Sequence, residues 1–86
     1  RPMLLNAPRP NYSEEAREKK ISGVVEMAVL IDENGNVGKV FLLSRLGHGL
    51  DEEAVRAVQE LNFSPAMKDG KPAPFWQRIS IEYNLK

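Results

Sequence analysis

The feature that most narrows the fold is a turn set between two alternating stretches. Asp32-Glu33-Asn34-Gly35-Asn36 carries an Asn-Gly pair, and such a pair supplies the positive φ angles that close a tight hairpin. Before the turn, Val25, Met27, Val29 and Ile31 recur at every second residue, with Val24, Glu26, Ala28 and Leu30 between them. A period of two predicts a half-buried strand over residues 24–32. After the turn, residues 37–44 form the return strand, with Val40 and Leu42 expected inward and Phe41 and Leu43 on the opposite face. Val37 is out of phase with Val40, so Gly38-Lys39 is expected to hold a bulge.

The flanks supply helices and one more strand. Ser13-Glu14-Glu15-Ala16-Arg17-Glu18-Lys19-Lys20 has a capping serine, acids in its first turn and lysines at its end. That charge order suits the helix dipole, Glu15 and Lys19 form a favourable i,i+4 pair, and Gly23 is expected to stop the helix. A second helix is expected from Glu52 to about Leu61, capped by Asp51. Leu50 and Val55 would close a hydrophobic staple, and Ala54, Val58 and Leu61 would be buried. Phe63 reads as a core plug, Pro65 as a stop, and Asp69-Gly70-Lys71-Pro72 as a turn. Residues 75–85 form the last strand, in which Ile79, Ile81, Tyr83 and Leu85 alternate with Arg78, Ser80, Glu82 and Asn84. The first eleven residues carry Pro2, Pro8 and Pro10 and read as an extended lead-in, leaving residues 12–86 as the folded domain. Met3-Leu4-Leu5 is expected to dock on the body, with the last strand's edge as one place it could cover.

The order helix, strand, strand, helix, strand predicts an α+β fold. The hairpin and a right-handed crossover place the third strand beside the first. The sheet is then antiparallel, in the order second, first, third strand, with both helices packed on one face. The third strand lies at an edge, and its outer backbone groups form a template for another strand.

Composition removes several function classes. Eighty-six residues at 42% apolar and 28% charged build one small core, too small to enclose a large pocket between domains. Twelve basic residues balance twelve acidic ones, so no basic field attracts nucleic acid. With no cysteine and a single histidine, His48, there is no thiolate or clustered metal site. His48, between two glycines, reads as a turn residue. The carboxylate clusters at residues 14–15, 32–33 and 51–53 sit at helix starts or turns, and no phosphate loop or nucleophile elbow appears. Neither a cofactor nor catalysis is expected. No apolar run reaches the ~18 residues that span a bilayer, and no signal peptide is visible. A start at Arg1 suggests a domain cut from a longer protein. Trp76 beside Phe75 reads as packing or an interface anchor.

The ordered set of motifs has a specific likeness. Pro10-Asn11-Tyr12-Ser13-Glu14-Glu15-Ala16-Arg17 and Ile21-Ser22-Gly23-Val24-Val25 begin it. Ile31-Asp32-Glu33-Asn34-Gly35-Asn36-Val37, Leu50-Asp51-Glu52-Glu53-Ala54 and Phe63-Ser64-Pro65-Ala66 continue it, and the final strand completes it. Together they resemble the C-terminal domain family of TonB, the energy transducer of Gram-negative envelopes. The resemblance implies a periplasmic domain of an inner-membrane-anchored protein. It implies the partners ExbB and ExbD, reached through an upstream region, which convert proton-motive force into a pull. It also implies that the TonB-box peptide of an outer-membrane transporter adds as a strand to Arg78, Ile79, Ser80, Ile81, Glu82, Tyr83, Asn84 and Leu85. The family's Tyr-Pro signature falls at Tyr12-Ser13, which implies a secondary contact at Asn11 and Tyr12. Such domains also occur appended to sensor proteases and to gliding or secretion machinery, where the edge would serve another partner. A homodimer is a further expectation, through the semi-apolar face with Leu30, Phe41 and Leu43.

Overall fold

The computed structural model describes residues 2–7 and 10–84. A two-residue strand β1 (Met3–Leu4) precedes helix α1 (Glu14–Glu18). Strands β2 (Gly23–Ile31) and β3 (Val37–Leu42) form the hairpin, and helix α2 (Leu50–Gln59) follows. Then come β4 (Phe63–Ser64), β5 (Ala66–Lys68), β6 (Lys71–Ala73) and the long β7 (Phe75–Tyr83). The main sheet runs β3-β2-β7 and is antiparallel throughout. It is the α+β architecture and strand order expected from the sequence.

The core lies between this sheet and both helices. Val25, Met27, Val29 and Ile31 of β2 are completely buried, as are Ala16 of α1 and Leu50, Ala54 and Val58 of α2. Ile81 and Tyr83 of β7 close one end, and Phe63 packs in as the expected plug. Ala57 is buried as well, which widens the apolar stripe of α2 beyond the expected three residues. In α1, the Ser13 hydroxyl accepts from the Ala16 N–H at 3.1 Å and donates to the His48 carbonyl. One serine thus caps α1 and ties it to the loop that enters α2.

Local details depart from the sequence reading. In the hairpin only Gly35 has a positive φ, at 83°; Asn34 does not. The Asp32 carboxylate accepts the N–H groups of Asn34 and Asn36, both at 2.9 Å, and so builds the turn from a side chain. Gly35 is required there for a second reason, because a Cβ would stand 1.9 Å from the Phe63 carbonyl oxygen. The bulge falls where expected: Val29 faces Val40 and Ile31 faces Val37, so Gly38 and Lys39 together oppose Leu30.

Helix α2 begins at Leu50, with Gly49 at its cap (φ 81°), so Asp51 does not cap it. The Asp51 carboxylate instead turns back and accepts the Leu46 and Gly47 N–H groups, both at 2.9 Å. Leu50 is therefore a first-turn core residue rather than the outer half of a staple. Lys20, at φ 55°, ends α1, whereas Gly23 opens β2. Asp69 and Gly70, at φ 52° and 78°, make a two-residue turn between β5 and β6, a small hairpin read from sequence only as a turn. The lead-in pairs through Met3–Leu4 with Phe63–Ser64 and not with the last strand.

Candidate functional site

The register of β7 decides which backbone groups are free. The Glu26 carbonyl accepts from the Leu43 N–H at 2.7 Å, and the Glu26 N–H donates to Ser44 Oγ at 3.0 Å. The even-numbered residues of β2 therefore turn their backbone toward β3, and the odd-numbered ones toward β7. Val25 pairs with Ile81, Met27 with Ile79 and Val29 with Gln77. It follows that Trp76, Arg78, Ser80 and Glu82 point their N–H and C=O groups away from the sheet. Among the described residues nothing pairs with that outer edge.

Side chains sort by the same parity. Ile81 and Tyr83 are buried on the helix face and Ile79 is half-buried there, while Arg78, Ser80, Glu82 and Asn84 are exposed. Leu85 lies outside the described residues. The other edge of the sheet, along β3, is short and bent by the Gly38-Lys39 bulge, with a lysine at the bend. Both are devices that discourage strand addition. β7 is nine residues long and its pairing with β2 is free of register shifts.

Tyr12 is brought to the end of β7. Its ring meets that of Tyr83 edge-on, with centroids 5.2 Å apart. The Tyr12 hydroxyl donates to the Ile21 carbonyl at 2.8 Å, and the Tyr83 hydroxyl to the Leu50 carbonyl at 3.3 Å. Burial, reinforced by the negative charge of Glu53, pushes the Tyr83 phenol up to about 12. Asn11 is exposed beside this pair.

Two residues that sequence reasoning left out of the site stand at the other end of β7. The Trp76 ring is half exposed on the open face and lies 5.7 Å from that of Phe41, itself 55% exposed. Phe75, Trp76, Gln77 and Arg78 line a hollow of about 330 Å³. The signal available in the sequence was parity, since Trp76 shares its phase with Arg78, Ser80 and Glu82.

Several titratable side chains away from this edge are engaged in structural contacts. His48 Nδ1 lies 3.2 Å from a Glu15 carboxylate oxygen, in a loop at φ 55°. Among the described residues no group of acids and histidines is placed to hold a metal ion. Asp51 is committed to the loop N–H groups, and Glu53 and Glu60 to Arg56 at 2.9 and 2.7 Å.

Comparison with known proteins gives these observations a family. The profile described as Gram-negative bacterial TonB protein C-terminal matches residues 8–85, nearly the whole chain. The chain belongs to this family. It is 35% identical over 88 aligned positions to Protein TonB of Vibrio cholerae serotype O1, in a match that covers all of this chain and 36% of that protein. The chain thus spans about a third of that relative's length. Its fold matches the solution NMR structure of the Pseudomonas aeruginosa TonB C-terminal domain, with a TM-score of 0.78 and 20% identity. That match covers 99% of this chain and 87% of the other. The family is one of non-enzymatic energy transducers and binding proteins.

Proposed function

We propose that this chain is the periplasmic, transporter-facing domain of an energy transducer. In this reading it receives the TonB-box peptide of an outer-membrane transporter as an added strand along residues 78–85. A region of the parent protein outside this chain would anchor it in the inner membrane and engage ExbB and ExbD, which supply the pull from proton-motive force. The observation that carries the reading is the open outer edge of β7, with its outward N–H and C=O groups at alternate residues. Backbone pairing suits the task, because it makes little demand on peptide sequence and lets one domain serve several transporters. Each bond contributes about 0.5–1.5 kcal/mol net. A handful loaded together resist a pull and still release when it ends. Asn11 and Tyr12, at the end of β7, would add a secondary contact.

Proline substitution tests the edge directly. Ser80→Pro and Glu82→Pro each remove an outward N–H and leave the ladder to β2 intact, so both variants are expected to fold. Each should abolish the amide shifts that a TonB-box peptide induces along β7. Ile79→Pro removes a bond to β2 and should unfold the sheet instead. Undiminished peptide binding by the folded Ser80→Pro and Glu82→Pro variants would overturn strand addition.

A further inference from the structure

We propose that the binding edge starts upstream of residues 78–85, at residues 75–78, and that this end selects its strand by side chain. The preferred strand carries a large apolar residue seated on Trp76 and an acidic residue, two positions away, facing Arg78. This rests on reading β7 as the strand-receiving edge.

Four observations lead there. Trp76 and Arg78 both turn their backbone groups outward, so an added strand would pair with them as it does with Ser80 and Glu82. Their side chains stand two residues apart on the open face, where cross-strand neighbours come within contact distance. The Trp76 ring is backed by Phe41 and lies opposite Leu30, forming an apolar platform across three strands that keeps about half its tryptophan and phenylalanine surface in water. Contiguous exposed apolar surface is a feature of contact sites. Arg78 faces the small Ala28 across the sheet, with Glu26 diagonal to it on the same face, and forms no ion pair with a described residue.

The hollow fixes the direction of approach. It touches four consecutive residues, Phe75, Trp76, Gln77 and Arg78, whose side chains alternate between the two faces of the sheet. A space along the outer edge of β7, where an incoming strand would run, meets all four, since the other edge is filled by β2. The chain's charges balance and Arg78 is the one basic residue lining this hollow. The arrangement therefore fits a peptide with one acid rather than a polyanion.

Trp76 is the chain's only tryptophan, so its emission reports on this seat alone. The probes are capped nine-residue peptides rich in threonine and valine, with phenylalanine and aspartate two positions apart in either order. A TonB-box peptide serves as the reference. Binding is expected to change Trp76 emission, and one order is expected to bind better, which reports whether the strand adds parallel or antiparallel. Replacing the peptide's phenylalanine by alanine should weaken binding about three- to tenfold. Replacing its aspartate by asparagine should weaken it about two- to fivefold, an effect that fades at high salt. The aspartate effect should vanish in the Arg78→Gln variant, while the phenylalanine effect persists. Amide shifts confined to residues 79–83, with unchanged Trp76 emission and no loss on either replacement, would overturn this inference and leave strand addition standing. An absence of shifts along β7 with every peptide, the TonB-box peptide included, would remove the underlying reading itself. Emission that changes with protein concentration alone would assign the platform to a second copy of this chain, and would overturn the proposal too.

Discussion

At the scale of single residues, Tyr83 connects the core to the candidate edge. Its ring is buried against Tyr12, while its backbone pairs with Gly23 at the start of β2. The phenol's pKa rises from an ordinary value near 10 to about 12, chiefly because burial disfavours the phenolate. The neutral form is therefore the one that folding favours. Its contribution to stability is complete below pH about 10 and is lost as pH rises toward about 12, because the unfolded chain releases the proton first. Tyr83→Phe removes that ionisation. We expect the variant's alkaline unfolding curve to lack the part of the decline between pH 10 and 12 that the parent shows. At neutral pH the variant should lose no more than about 1 kcal/mol, since the bond to the Leu50 carbonyl is long at 3.3 Å. Urea titrations across that pH range check both statements, and parallel curves for the two proteins would deny Tyr83 a share in alkaline unfolding.

At the scale of elements, the long alternating strands were legible and the devices joining them were not. Strands β2 and β7 announce themselves by period two, because one face of each meets helices and the other meets water. The sheet order followed from them, and with it the open edge. Helix α2 was placed well but its start was not: Asp51 looks like a cap, yet its carboxylate serves the preceding loop. A side chain that bonds backward and one that bonds forward leave the same trace in sequence. The β1–β4 pair was invisible for another reason. Met3 and Leu4 stay 70% and 46% exposed and contribute mainly backbone bonds, so no apolar pattern betrays the pairing. Trp76 read as packing or an interface anchor, and sequence could not choose between them because its ring partner is Phe41, a neighbour on β3 that no local pattern can supply. The Asp51 arrangement has an energetic consequence for the whole α2 entry. The carboxylate is nearly fully buried and answers two loop N–H groups. Asp51→Ala leaves both unanswered and should cost about 2–4 kcal/mol. Asp51→Asn keeps one oxygen for one N–H and turns its NH2, a donor, toward the other, so it should cost at least half as much. Urea midpoints measure the difference, and a loss below about 0.5 kcal/mol in the alanine variant would mean that water replaces the carboxylate.

At the scale of the whole molecule, the β3 edge and the 62–64 segment are the rivals of β7 in the main body as the point of attachment, and the fold disposes of both. The β3 edge is bent by its bulge and carries Lys39. The outer side of the 62–64 segment is taken by the lead-in. There Leu5 N–H donates to the Asn62 carbonyl at 2.8 Å, and the Asn6 side chain accepts from the Asn62 N–H at 2.8 Å and donates to the Glu60 carbonyl at 3.2 Å. The lead-in is thus spent on the end of α2, and β7 is left as the long, regular edge among the described residues. Deleting residues 1–7 separates the alternatives. The bonds lost would each contribute about 1 kcal/mol, but the deleted segment no longer has to be ordered, at about 1–2 kcal/mol per residue. Of its apolar side chains Pro2 is buried, while Met3, Leu4 and Leu5 are exposed. The bonds lost are no larger than the ordering cost released, so the truncated chain should stay folded and lose less than about 2 kcal/mol in a urea titration. Its affinity for a strand-forming peptide should be unchanged, because the deleted segment lies on β4 and the peptide would lie on β7. A truncated chain that binds several-fold more tightly would show that the lead-in leaves β4 and competes for the β7 edge, making it a built-in competitor for the transporter peptide.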